Sequence, residues 1–141
     1  VYNAKITYAT CGGNTMKKNI LVVDDEVGAL TLIGILLERG GLQVLKAKNA
    51  KSALELINEI TPDLIILDVM MPDVDGIELC KILRTRPDTS KTPILMLSAR
   101  GDTESIKRSM QAGATNYINK PILNNDLVEK VKSMLDQECY S

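Results

Sequence analysis

The sequence predicts an α/β fold: a five-stranded parallel sheet in the order 2-1-3-4-5, with helices on both faces. Two observations lead there. The runs at 20–23, 64–67 and 94–97 are continuously apolar and partly β-branched, the pattern of strands buried on both faces rather than on one. Segments with helical spacing alternate with them over short connections, a rhythm that implies parallel strands and right-handed crossovers. The stretch PDLIILDVMMPDVDG at 62–76 is the centre of the scheme. It runs from a buried strand straight into an acid, Asp68, and then into a Pro-, Asp- and Gly-rich loop. Ligands of open α/β sheets bind outside the carboxyl ends of the strands.

Each element has its own justification. Residues 1–15 show no apolar periodicity and break at Gly12-Gly13-Asn14. They are expected to be an appendage or tag-like extension, with the domain itself at 16–141. The first strand, 20–23, ends in Asp24-Asp25-Glu26, and a helix over 27–39 follows until Gly40-Gly41 stops it. Asp24 or Glu26 is a candidate cap for that helix. A second strand occupies 44–47, and Asn49 caps a helix carrying Ala53, Leu54 and Ile57. After the central strand a helix covers about 76–84, and 86–92 is a polar, Pro-bounded loop. The fourth strand, 94–97, ends at Ser98. Asp102 is placed to cap a helix through Ala112, which Gly113 closes. Tyr117 and Ile118 lie in a fifth strand ending at Lys120-Pro121, and the last helix covers about 125–137.

Bulk composition narrows the chemistry. A length of 141 residues suits one domain with a real core. A formal charge of −1 gives no polyanion-binding signature, and the apolar runs are too short to span a membrane. No signal-peptide pattern is present at the N-terminus. Cys11, Cys80 and Cys139 are widely spaced and form no Cys-x-x-Cys pair, as expected of reduced thiols in a cytoplasmic protein. There is no histidine. That excludes Ser-His-Asp and Cys-His catalysis, His-zinc sites and a phosphohistidine on this chain.

In a 2-1-3-4-5 sheet, strands one, three, four and five lie side by side. Their carboxyl ends would bring Asp24, Asp25, Asp68, Ser98 and Lys120 into one pocket. Carboxylates so close repel one another and take up protons unless a cation sits among them. All-oxygen ligation suits Mg²⁺, which favours sites that also hold phosphate. Lysine and serine are donors suited to phosphoryl oxygens. Each piece alone has a plain explanation as a helix cap or a turn; it is their coincidence at four strand ends that points to function.

With those residues in place, 20–135 resembles a response-regulator receiver domain of two-component signalling, of the small chemotaxis-regulator type with its flavodoxin-like, doubly wound sheet. The matching motifs are LVVDDE at 21–26, PDLIILDVMMPDVDG at 62–76, PILMLSAR at 93–100 and AGATNYINKP at 112–121. The resemblance implies that Asp68 accepts a phosphoryl group from a phosphohistidine on a sensor histidine kinase or histidine phosphotransfer protein. It implies Mg²⁺ bound directly by Asp25, Asp68 and the Met70 carbonyl, and through water by Asp24. Ser98 and Lys120 would each meet a phosphoryl oxygen, and Tyr117 matches the aromatic switch. It also implies a downstream protein partner, a cytoplasmic location, no direct nucleic-acid binding and no membrane. A cis Lys120-Pro121 bond is expected, because the lysine must turn back over the strand ends.

The chain departs from the pattern of many DNA-binding regulators. Thr115 and Asn116 stand where those carry acids before the switch aromatic, and Ile122 where they often have Phe. This argues against the activation dimer such regulators form. A haloacid-dehalogenase-type phosphatase would need a second acid at Met70. A nucleotide-binding domain would need a Gly-rich turn at 24–26, and three acids there repel a pyrophosphate. A degenerate receiver would have lost Asp68 or Lys120, and both are present. Finally, Leu30, Ile33, Leu36 and Leu37 form the core stripe of the first helix, leaving Leu32 and Ile35 outside it as a candidate docking patch for a histidine-bearing partner.

Overall fold

The computed structural model describes residues 17–71, 74–99, 101–120 and 124–139. Five parallel strands alternate with five helices: β1 (Asn19–Val23), α1 (Val27–Arg39), β2 (Gln43–Ala47), α2 (Ala50–Glu59), β3 (Leu64–Asp68), α3 (Gly76–Thr85), β4 (Ile94–Ser98), α4 (Thr103–Gln111), β5 (Asn116–Asn119) and α5 (Asn124–Cys139). The sheet order is β2-β1-β3-β4-β5, as the alternation predicts. All four pairings are parallel, with Leu67 opposite Val23 and Met96, Asp68 opposite Leu97, and Ser98 opposite Asn119. Helix ends fall within a few residues of those expected. The expected extension at 1–15 and the Lys120-Pro121 bond lie outside the described residues.

The apolar runs are buried on both faces because each face feeds its own core. Leu21, Val23, Ile65, Leu67 and Met96 join Ala53 and Ile57 of α2 and Ile77, Cys80 and Leu83 of α3. The residues between them, such as Ile20, Val22, Leu64, Ile66, Leu95 and Leu97, join Leu30, Ile33 and Leu37 of α1 and Leu127 and Val131 of α5. On α1 the stripe is as read, with Leu36 partly buried, while Leu32 and Ile35 are 50% and 43% exposed. No helix among the described residues is long and apolar enough to cross a membrane. The Cys80 thiol is buried and free, and its burial pushes its pKa up.

Among the described residues, side-chain caps start three helices. Asn49, Asp75 and Asp102 accept the backbone N–H of Ser52, Glu78 and Ser105 at 2.8, 2.9 and 3.2 Å. Glu26 sits at the cap position of α1 but makes no such bond. Asp24 instead accepts the Glu26 N–H.

At the amino end of the sheet, Arg84 of α3 is a clamp that the sequence does not announce. Its guanidinium donates to the carbonyls of Gly113, Thr89, Ser90 and Thr92 at 2.7–3.3 Å, and to the Thr115 hydroxyl at 3.3 Å. Thr115 Oγ1 also accepts the Ile94 N–H. One side chain therefore ties α3, the loop before β4 and the turn before β5. Removing the donors strands several carbonyls, though water reaches some of them. Arg84→Met is expected to lower unfolding free energy by about 2 kcal/mol in urea titrations. A loss below about 0.5 kcal/mol would show the clamp to be incidental.

Candidate functional site: an acidic pocket at the carboxyl edge of the sheet

The site is built from the last residues of adjacent strands. Asp24 follows β1 directly. Its backbone N–H donates to the Ala47 carbonyl at 3.1 Å, locking the loop to β2. The side chain is fully buried, and Oδ1 accepts the Glu26 N–H at 3.0 Å. Oδ2 has no hydrogen-bond partner, and the Lys120 ammonium stands 4.0 Å away. Asp25 is exposed beside it. Asp68 closes β3 and is only 3% exposed. Its Oδ1 accepts from Lys120 Nζ at 3.1 Å and from the Met70 N–H at 3.3 Å.

One oxygen from each of Asp24, Asp25 and Asp68 lies within 4.8 Å of the others. Burial is the main force raising the Asp68 pKa from 3.8 to about 6, and the charge of Asp24 adds to it. The Lys120 ammonium and the Met70 N–H pull the other way without cancelling the rise. Three carboxylates facing one lysine leave an excess of negative charge at a site where Asp24 and Asp68 are buried and Asp25 is exposed. A buried carboxylate oxygen without a donor is costly. A small hard divalent cation ligated by oxygen relieves both, so the donor set fits Mg²⁺.

Ser98 lies at the same edge, one residue past the β4 position opposite Asp68. It is 1% exposed, and its hydroxyl donates to Asn119 Oδ1 at 2.9 Å. The Lys120 N–H donates to the Ser98 carbonyl at 2.8 Å, so the end of β5 is stitched to the end of β4. Tyr117, in the middle of β5, is 37% exposed and Met70 is 69% exposed. Asp24, Asp25, Asp68 and Lys120 thus converge, Ser98 adjoins them with its hydroxyl engaged elsewhere, and Tyr117 is on the surface.

Two residues here escape a reading by sequence. Asn119 has no motif role, and only its pairing opposite Ser98 exposes it. Gly76 opens α3, where its N–H donates to the Val69 carbonyl at 3.1 Å. A Cβ on Gly76 would overlap the Asp68 carbonyl oxygen. The helix therefore starts directly over the Asp68 peptide, and a glycine at a helical position, poor in helix propensity, is the signal that could have found it.

Residues 20–132 match the family model for the response regulator receiver domain. The chain belongs to that family. The receiver is 38% identical over 120 residues to the phosphate regulon transcriptional regulatory protein PhoB of Escherichia coli, covering 85% of this chain and 52% of that protein. It thus spans about half the length of the curated relative it matches. Among solved structures it resembles the chemotaxis protein CheY4 of Vibrio cholerae, at 29% identity and a TM-score of 0.80, covering 84% of this chain and 98% of that one. It also resembles the receiver domain of a signal transduction histidine kinase from Syntrophus aciditrophicus, at 33% identity and a TM-score of 0.79, covering 85% and 91%. The shared architecture is the doubly wound parallel sheet with helices on both faces, and the signalling family follows from the match.

Proposed function

We propose that this receiver is a phosphoacceptor, taking a phosphoryl group onto Asp68 from a phosphohistidine of a sensor histidine kinase or histidine phosphotransfer protein. The observation that carries the reading is Lys120 Nζ held 3.1 Å from a buried Asp68 carboxylate at a strand end flanked by Asp24 and Asp25. A carboxylate oxygen of Asp68 attacks phosphorus, the phosphorus–nitrogen bond of the donor breaks, and the departing imidazole keeps the bonding pair. Phosphoryl transfer of this kind demands positioning and charge neutralisation more than covalent help from the protein.

Lys120 balances part of the charge on Asp68 and is placed to meet a phosphoryl oxygen, and Ser98 supplies a hydroxyl donor. Asp25, Asp68 and the Met70 carbonyl would hold Mg²⁺ directly, with Asp24 bonded to it through water. When bound, the ion supplies positive charge to the phosphoryl oxygens. Hydrolysis of the acyl phosphate returns Asp68 to its carboxylate, so the receiver catalyses its own phosphorylation and dephosphorylation. Tyr117 is the switch residue that passes the state of Ser98 to a downstream protein partner. The setting is cytoplasmic, with no direct binding of nucleic acid by this domain.

Incubation with acetyl phosphate tests this. Intact mass should show a single phosphoryl adduct that needs Mg²⁺, disappears with EDTA and is cleaved by hydroxylamine. A hydroxylamine-stable adduct would mean a different acceptor.

The histidine-bearing partner is expected to dock on α1, which begins three residues after Asp24 and carries the exposed Leu32 and Ile35. Changing Leu32→Ser together with Ile35→Ser should leave acetyl phosphate labelling unchanged and slow transfer from the cognate kinase by about tenfold, the effect of losing ~1.4 kcal/mol of apolar contact. Equal loss in both assays would place these side chains in the fold rather than in the interface.

A further inference from the structure

We propose that Asn119 is a latch on the Ser98 hydroxyl, a positioning residue that sets how readily the site engages a phosphoryl group; this rests on the reading of Ser98 as a phosphoryl-oxygen donor. A serine hydroxyl carries one proton. In the structure that proton goes to Asn119 Oδ1, across 2.9 Å, from a side chain that is 1% exposed. A phosphoryl oxygen is an acceptor only, so to bind Ser98 it must win the same proton. Asn119 and the phosphoryl group are therefore competitors for one donor.

Placement makes the competition consequential. Ser98 and Asn119 face each other across the last rung between β4 and β5. The next residue, Lys120, is bonded through its backbone N–H to the Ser98 carbonyl and through its ammonium to Asp68. Releasing the latch thus frees a donor for the phosphoryl group at the rung where β5 meets the acceptor site. Asn119 is itself exposed and buries little. Among the described residues, the bond from Ser98 is the only one its side chain makes. Asparagine is also a poor strand former, so neither packing nor propensity accounts for it at the end of β5.

An occupied latch lowers apparent affinity by the fraction of molecules in which it is closed. Deleting one neutral side-chain hydrogen bond should raise that affinity about fivefold. The measurement is a beryllofluoride titration at saturating Mg²⁺, followed through backbone amide NMR shifts. Asn119→Ala and the strand-favouring Asn119→Val should each bind about fivefold tighter than the wild type, and their acyl phosphates should decay more slowly. In a Ser98→Ala background the Asn119→Ala change should have no effect, a coupling that a merely structural role for Asn119 would not produce. Unchanged or weaker affinity in both Asn119 variants overturns the latch. A gain that persists without the Ser98 hydroxyl also overturns it, leaving the reading of Ser98 intact. Ser98→Ala protein that binds beryllofluoride as the wild type does would overturn the reading of Ser98 itself.

Discussion

An Asp68→Asn variant will take up no phosphoryl label from acetyl phosphate, and at pH 7 in EDTA it will melt higher than the wild type. The first result follows from the proposed role of Asp68, since the amide lacks the carboxylate's charge and nucleophilic oxygen. The second follows from the energetics of the pocket. The folded-state pKa of Asp68, about 6, lies above its ordinary 3.8, chiefly because of burial. Between those values the folded protein holds the proton more tightly than the unfolded chain, so stability falls as pH rises through the window. Above pH 6 the penalty is complete. A displacement of about two units sets a ceiling of ~3 kcal/mol. Asparagine removes the ionisation but leaves Lys120 without its closer carboxylate, so the net gain should be about 1–2 kcal/mol, a rise of several degrees. Wild-type protein should accordingly gain stability when pH is lowered from 7 to 5, and the variant should not. Asp88 and Asp102 do not confuse the comparison, because their bonds to Arg86 and Ser105 lower their pKa values and move their effect below this window. A variant that melted lower than the wild type would show Asp68 to be a structural acid.

Gly76→Ala should be among the most damaging single-methyl additions in the domain. The new Cβ would overlap the Asp68 carbonyl oxygen and crowd the Asp68 carbonyl carbon and Val69 Cα. These are backbone atoms at the end of the central strand, held to β4 by the pairing of Asp68 with Leu97 and by the Val69 N–H to the Leu97 carbonyl, and they cannot shift without disturbing that ladder. Overpacking of this kind costs about 3 kcal/mol, more than the ~1 kcal/mol by which alanine improves on glycine in a helix. Protein that does fold must displace either α3 or the Asp68 peptide, so labelling should fall by at least tenfold. Gly28→Ala in α1 is the control: nothing lies within 4 Å of its would-be Cβ, and a small stabilisation is expected. Urea unfolding of the two variants decides the matter, and near-equal midpoints would refute the close approach.

Most of the architecture was legible because its determinants are local. Buried parallel strands announce themselves as unbroken apolar runs, and Asn49 and Asp102 are caps by residue type alone. Convergence of Asp24, Asp25, Asp68 and Lys120 was legible as well, since strand order converts positions at strand ends into a spatial cluster. Three other features depend on close approaches that exist only in the folded structure. The five bonds of Arg84 reach as far as Thr115, and an arginine near the end of a helix reads as ordinary surface charge. Gly76 matters because of where the Asp68 peptide lies, and Asn119 because β5 pairs with β4 in one register and not its neighbour. Strand order puts Ser98 at the carboxyl edge, but which acceptor holds its proton is a matter of side-chain geometry that no spacing encodes.

The Arg84 clamp has a consequence for how the domain answers to its solution. Its positive charge is met by neutral carbonyls and a hydroxyl, with no carboxylate paired to it among the described residues. Attraction between an ion and fixed dipoles at contact is screened far less by salt than attraction between exposed ions. The opposite edge, with Asp24, Asp25, Asp68 and Lys120 crowded together, is governed by charges whose mutual repulsion depends on every cation in the medium. Ionic strength should therefore leave the Arg84 clamp itself nearly untouched while it acts on the acidic edge. In hydrogen exchange, the amides of 113–115 should hold constant protection as salt is raised, while those that follow β1 and β3 respond.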